Sequence, residues 1–130
     1  MNTEKQVEDT ILQNKIDKIH HTYLVLSGKG GVGKSTVAVN LALSLSLRGL
    51  RIGILDVDIH GPSVPKLLGI THLRVGVSEE EIIPIEVYGM IKVVSMGLLL
   101  SGNEQAVIWR GPLKANVIRQ FVQNVAWGEL

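Results

Sequence analysis

Apolar residues fall into short runs separated by glycine-rich or polar breaks, and each run carries a period. Tyr23-Leu24-Val25-Leu26-Ser27 is a continuous apolar run ending at Gly28, the pattern of a strand buried on both faces. From Val37 to Leu47 two periods compete. Leu41, Leu43, Leu45 and Leu47 alternate as in a strand, whereas Val37, Leu41 and Leu45, and likewise Val39, Leu43 and Leu47, fall four apart. The glycine-rich loop in front decides for a helix apolar on two sides, because such a loop feeds a helix N-terminus, and Arg48-Gly49 is a good stop. Arg51 to Asp56 then reads as a second buried strand, completing a strand–loop–helix–strand unit. Pro62 to Leu68 reads as a short helix closed by Gly69. Ile82 to Val87 and Met90 to Met96 read as two strands joined by a turn at Tyr88-Gly89. Leu113, Val117, Ile118, Phe121, Val122 and Val125 make a helical stripe over Pro112 to Val125, stopped by Trp127-Gly128. The leader, residues 1–18, is polar and charged, and is expected to be flexible or weakly helical with little to bury.

Composition narrows the function classes. The 130 residues allow one domain with one modest core, and 45% hydrophobic and 19% charged residues are ordinary for a globular chain. Net charge is +1 with no basic block, so a charged stripe for nucleic acid is not expected. There is no cysteine, which removes disulfides, thiolate metal sites and thiol nucleophiles from these residues. The polar start does not fit a signal peptide, and the apolar stretch around Val37 to Leu47 is too short to cross a bilayer. The expected location is the cytoplasm, with no membrane contact.

The chemistry is concentrated in Gly28-Lys29-Gly30-Gly31-Val32-Gly33-Lys34-Ser35, which fits G-x-x-x-x-G-K-[ST] without a mismatch, after an expected strand and before an expected helix. Glycines let the backbone curl around phosphate oxygens with its N–H groups pointing inward. The helix adds the positive end of its dipole. Lys34 can bridge terminal phosphates, and the Ser35 hydroxyl can join a Mg²⁺ shell shared with them. The candidate nucleotide-binding set is therefore Gly28, Gly30, Gly31, Val32, Gly33, Lys34, Ser35 and Thr36. Asp56 and Asp58 end the second strand at the carboxyl edge of the sheet, where open α/β folds bind ligands; a carboxylate there can support a metal shell or orient an attacking water.

With Lys29 included, Lys29-Gly30-Gly31-Val32-Gly33-Lys34-Ser35-Thr36 resembles the deviant Walker A motif K-G-G-x-G-K-[ST] of MinD, the ParA partition ATPases, the nitrogenase iron protein and the Mrp/ApbC iron–sulfur carriers. Asp56-Val57-Asp58-Ile59-His60-Gly61-Pro62-Ser63 is similar to the D-x-D-[IL]-x-G-P-S stretch of the Mrp/ApbC group, and Trp109-Arg110-Gly111-Pro112 to its W-R-G-P segment. The resemblance runs from about Tyr23 to Leu130. It implies a partial P-loop NTPase of α/β class, a parallel sheet with flanking helices, with residues 19–130 forming its N-terminal part and the Walker B strand lying beyond. It implies ATP and Mg²⁺ as ligands, a metal role for Ser35 and Asp56, a water-positioning role for Asp58, and a Lys29 that reaches the partner's nucleotide across a homodimer. Catalysis would thus rest on Lys29, Lys34 and Asp58. The family's D-x-P-P-G-T-G-D stretch, adenine pocket and C-x-x-C pair are not among these residues. Cluster binding is therefore carried over only to a full-length parent, and little ATP hydrolysis is expected of this chain alone. The function implied is the ATP-binding part of an iron–sulfur cluster carrier or assembly ATPase acting on apo-protein targets. The alternatives are a MinD/ParA-like positioning ATPase and an inactive fragment that serves only as a binding module. In that fold the strand after Leu130 lies between Tyr23–Ser27 and Arg51–Asp56, so its absence leaves three outcomes: an open slot, direct pairing of the two strands, or another chain in the gap.

Other polar residues read more plainly. His20 and His21 are neighbours whose side chains would diverge, a poor metal pair. His60, His72 and Arg110 read as loop or turn residues, Trp109 as a core anchor, and Glu79-Glu80-Glu81 as a solvated acidic turn.

Overall fold

The structure is a computed structural model, and it describes residues 2–29, 31–58, 63–78, 81–99 and 117–130. Expectations for Gly30, His60, Pro62, Trp109, Arg110, Pro112 and Leu113, and for Glu79 and Glu80, lie outside the described residues.

Helix α1 (Asn2–Asp17) is followed by α2 (Lys34–Ser46), β1 (Ile52–Asp56) and α3 (Ser63–Leu68). Short strands β2 (Gly76–Val77), β3 (Ile82–Ile83) and β4 (Ile85–Val87) lead to β5 (Ile91–Ser95), then α4 (Met96–Leu99) and α5 (Val117–Asn124). The main sheet has the order β1-β5-β4. β1 and β5 run parallel, Ile52 opposite Ile91 and Asp56 opposite Ser95. β4 and β5 form the expected hairpin around Tyr88-Gly89, with Ile85 opposite Val93. Between β3 and β4 stands Pro84, which has no N–H to give a ladder. The expected strand Ile82–Val87 is therefore divided, and β3 pairs with β2 in a separate two-stranded sheet.

β5 is the centre of the core: Ile91, Val93 and Val94 are fully buried. Phe121, Val125 and Trp127 complete that core, and the Trp127 indole N–H donates to the Phe121 carbonyl at 3.0 Å. Gly53 and Ile54 point to opposite faces of β1, as alternation requires. The Gly53 face is covered closely, since a Cβ there would lie 2.6 Å from Leu130 Cδ1 and 3.1 Å from the Trp127 ring. Helix α2 packs against β1 and α3, burying Val39 and Ala42. Its other apolar side is open at Val37 and Leu41, and Leu47, at the C-cap, projects into solvent. The two-sided apolar pattern is thus half used among the described residues.

One expectation is corrected. Tyr23–Ser27 is not a strand: it has no ladder partner among the described residues, and Tyr23, Leu24 and Leu26 are 68%, 75% and 76% exposed. An apolar run becomes a strand only where a neighbour takes its backbone groups, and the described partner of β1 is β5. Neither the flanking strand nor direct pairing with β1 forms, which leaves β1 at the edge of the described sheet. The leader, expected to be flexible or weakly helical, forms a 16-residue helix. It buries no residue, as its polar sequence implies, and is held instead by charge. Lys15 pairs with Glu81 and donates to the Val125 carbonyl at 2.7 Å, and Arg119 of α5 pairs with Asp9. Backbone hydrogen bonds between Lys18 or His20 and Leu130 tie down the segment that follows.

Candidate functional site

The glycine loop turns sharply at two places. Gly31 has φ +74° and Gly33 has φ +92°, left-handed conformations that glycine adopts without penalty. Gly33 is the cap of α2, and the first helical hydrogen bond runs from Val37 N to Gly33 O at 2.9 Å. The amides of Lys34, Ser35 and Thr36 precede that bond, so the helix itself offers them no acceptor. They form, with the dipole of a 13-residue helix, the positive end of an anion cradle. On the approach, the Ser27 hydroxyl donates to the Lys29 carbonyl at 2.7 Å, bending the chain into the loop. Gly28, Lys29 and Val32 are exposed, and Asn40 holds the Thr36 carbonyl at 2.8 Å one turn into α2.

The end of β1 meets this loop. Lys34 Nζ lies 3.4 Å from Asp58 Oδ2, both side chains about a third exposed. The Ser63 hydroxyl, at the start of α3, donates to Ser35 Oγ at 2.7 Å. The structure therefore brings Lys34, Ser35 and Asp58 together, and adds Ser63. Lys29 stands on the exposed rim of the loop.

Asp56 is used differently from Asp58. It is buried at 8% exposure, and both carboxylate oxygens have protein donors. Ser95 Oγ, fully buried at the end of β5, donates to Oδ2 at 2.8 Å, and the Asp58 N–H donates to Oδ1 at 3.1 Å. The Gly97 N–H in turn donates to Ser95 Oγ at 3.3 Å. Asp56 thus fixes the backbone that presents Asp58 and links β1 to the β5–α4 junction. Sequence reasoning missed Ser63 and Ser95 as site residues. Ser63 carried a signal as the last position of the G-P-S stretch, whereas Ser95 carried none.

The donor set suits a hard cation: Ser35 offers hydroxyl oxygen and Asp58 carboxylate oxygen. No group of three or more His, Cys, Asp or Glu residues converges among the described residues. A metal here would be held largely by nucleotide phosphate and water, the usual arrangement for Mg²⁺.

The sequence profile of the NUBPL iron-transfer P-loop NTPases, of ParA type, matches residues 18–130. The chain belongs to this iron-transfer P-loop NTPase family. An iron–sulfur cluster carrier protein of Methanocaldococcus jannaschii is 48% identical over 123 residues, covering 95% of this chain and 42% of the relative. A cytosolic Fe-S cluster assembly factor NUBP2 homolog of Culex quinquefasciatus is 50% identical over 117 residues, covering 88% of this chain and 46% of the relative. Among solved structures, the nucleotide-binding protein of Archaeoglobus fulgidus in complex with ADP is 42% identical with a TM-score of 0.78, over 94% of this chain and 46% of that one. This NTPase chain thus spans less than half the length of the relatives it matches. The α/β P-loop fold expected from the resemblance is the one observed, with the correction at Tyr23–Ser27. Among the described residues, no helix is long and apolar enough to cross a membrane.

Proposed function

We propose that this chain is the nucleotide-gripping half of an Mrp-type iron–sulfur cluster carrier or assembly ATPase, and that it binds ATP or ADP with Mg²⁺ in the loop Gly28–Thr36. The observation that carries the reading is the convergence of two segments. A glycine loop opens onto a helix N-terminus, and the Asp58 carboxylate and Ser63 hydroxyl face its Lys34 and Ser35. The ADP complex of the solved relative supports a nucleotide as the occupant.

Phosphate oxygens would accept from the loop amides and from those of Lys34 to Thr36. Lys34 leaves Asp58 for the terminal phosphates, a stronger charge-assisted partner than a part-exposed carboxylate. Asp58, no longer paired with Lys34, would orient a water for in-line attack, with Asp56 holding its backbone still. Ser35 would contribute a hydroxyl to Mg²⁺, which when bound neutralises phosphate charge. Lys29, on the exposed rim, is suited to contact a second protomer's nucleotide in a dimer of the parent protein. With no cysteine in the chain, a thiolate-held cluster would need residues of that longer parent. The parent would deliver clusters to apo-protein targets in the cytosol, where relatives are named to act.

The test is calorimetric titration of ADP and ATP into the chain and its Lys34→Ala variant. Binding by the chain and a loss of about 10–100-fold in the variant is expected, the worth of about 1.5–3 kcal/mol for hydrogen bonds to a charged group. Equal affinity for both proteins would remove the loop as the site.

A further inference from the structure

Ser63 and Ser35 are 28 positions apart, and their hydroxyl oxygens are 2.7 Å apart. Each hydroxyl can donate or accept, and with Ser63 as the donor Ser35 Oγ is the acceptor. One lone pair of Ser35 Oγ is thereby occupied, which leaves the other lone pair and the hydroxyl proton to be placed by rotation about a single bond. Ser63 is not a loosely held surface serine. The helix it opens is anchored by Val64, Pro65 and Leu68, all buried, against a core that includes Val39 and Ala42 of α2. The donor is therefore held on a packed element, and so is the acceptor.

We propose that Ser63 is a positioning residue for the metal-dependent part of nucleotide binding: its hydrogen bond orients the Ser35 hydroxyl so that the remaining lone pair faces a magnesium ion on the nucleotide phosphates. Outer-sphere hydrogen bonds that orient a ligating group typically change metal affinity by about 10–100-fold when removed. The same contact joins the start of α3 to the phosphate site. This inference rests on the reading of Gly28–Thr36 as the nucleotide site, and its test separates the two.

The experiment is titration of ADP into the 130-residue chain, once with Mg²⁺ and once with a chelator, for the unchanged protein and for Ser63→Ala and Ser63→Thr. The quantity read is the ratio of the two affinities within each protein, which a general loss of folded material does not mimic. Magnesium tightens binding by the unchanged chain. Ser63→Ala loses about 10–100-fold of the affinity measured with Mg²⁺ and stays within about twofold without it. Ser63→Thr, which keeps a hydroxyl, recovers most of the loss. An unchanged ratio in Ser63→Ala overturns the positioning role while leaving the nucleotide site standing. Equal losses with and without metal overturn it too, because they describe a helix start that merely holds the fold. Absence of ADP binding by the unchanged chain overturns both readings.

Discussion

Replacing Asp56 with alanine removes the acceptor for two donors at once. Ser95 Oγ is fully buried, so its hydroxyl would lose its carboxylate partner with no water to replace it. The Asp58 N–H, part-buried, would lose the Oδ1 atom that now accepts from it. A buried donor left unsatisfied costs about 1–3 kcal/mol, and the half-exposed amide falls at the low end of that range. The sum is about 2–4 kcal/mol, a large share of the roughly 5–15 kcal/mol that holds a domain folded. With a urea m-value of about 2 kcal/mol/M, the unfolding midpoint should fall by about 1–2 M. Asparagine behaves differently. Its amide oxygen still accepts from Asp58 N–H, and its NH₂ can donate to Ser95 Oγ once that hydroxyl turns, although the Gly97 N–H already donates there. Asp56→Asn should therefore cost less than half as much. The assay is urea unfolding followed by circular dichroism, paired with ADP titration in the presence of Mg²⁺. An Asp56→Ala variant within 0.5 kcal/mol of the unchanged protein, roughly the scatter of a neutral surface change, would refute the structural role. An Asp56→Asn variant that keeps its stability but loses all magnesium dependence would instead make Asp56 a direct metal ligand.

Two further outcomes follow from packing. Gly53→Ala places a methyl group against Leu130 and the Trp127 ring, and should destabilise by about 1–3 kcal/mol in the same urea assay; a gain in stability would mean that the Trp127–Leu130 segment does not lie on β1. The isolated chain should self-associate, because Tyr23, Leu24, Leu26, Val37 and Leu47 are exposed together with the edge of β1. Light scattering checks this, and a monomer at high concentration with a cooperative melt would contradict it.

What was legible in the sequence was local. Glycine spacing placed the loop, and the Lys34-Ser35 pair placed the start of α2. Four-residue spacing placed α2 and α5, and the Tyr88-Gly89 turn placed the β4–β5 hairpin. Each of these signals lies within one element or its immediate flanks. Partnership was not legible. Tyr23–Ser27 has a strand's composition, but a strand is made by the neighbour that accepts its hydrogen bonds, and composition does not name the neighbour. Residues 2–17 lack an apolar face, so their periodicity predicts little. Helix α1 is held by partners at Glu81, Arg119 and Val125, far along the chain. The site divides in the same way. Gly28–Thr36, Asp56 and Asp58 stood out by motif, whereas no periodicity or spacing told that Ser35 would meet Ser63 or that Asp56 would meet Ser95. A serine hydroxyl becomes informative only when its partner is seen.

The claim at the centre of the account is that nucleotide phosphate sits on the backbone amides where the glycine loop enters α2. Backbone amide NMR of the chain, recorded before and after addition of ADP and Mg²⁺, tests it most directly. The largest shifts are expected at Gly31, Gly33, Lys34, Ser35 and Thr36, with smaller ones at Asp58 and Ser63, and little change along β4 and α5. Shifts confined to α1 and α5, or no shifts with ADP well in excess, would contradict it.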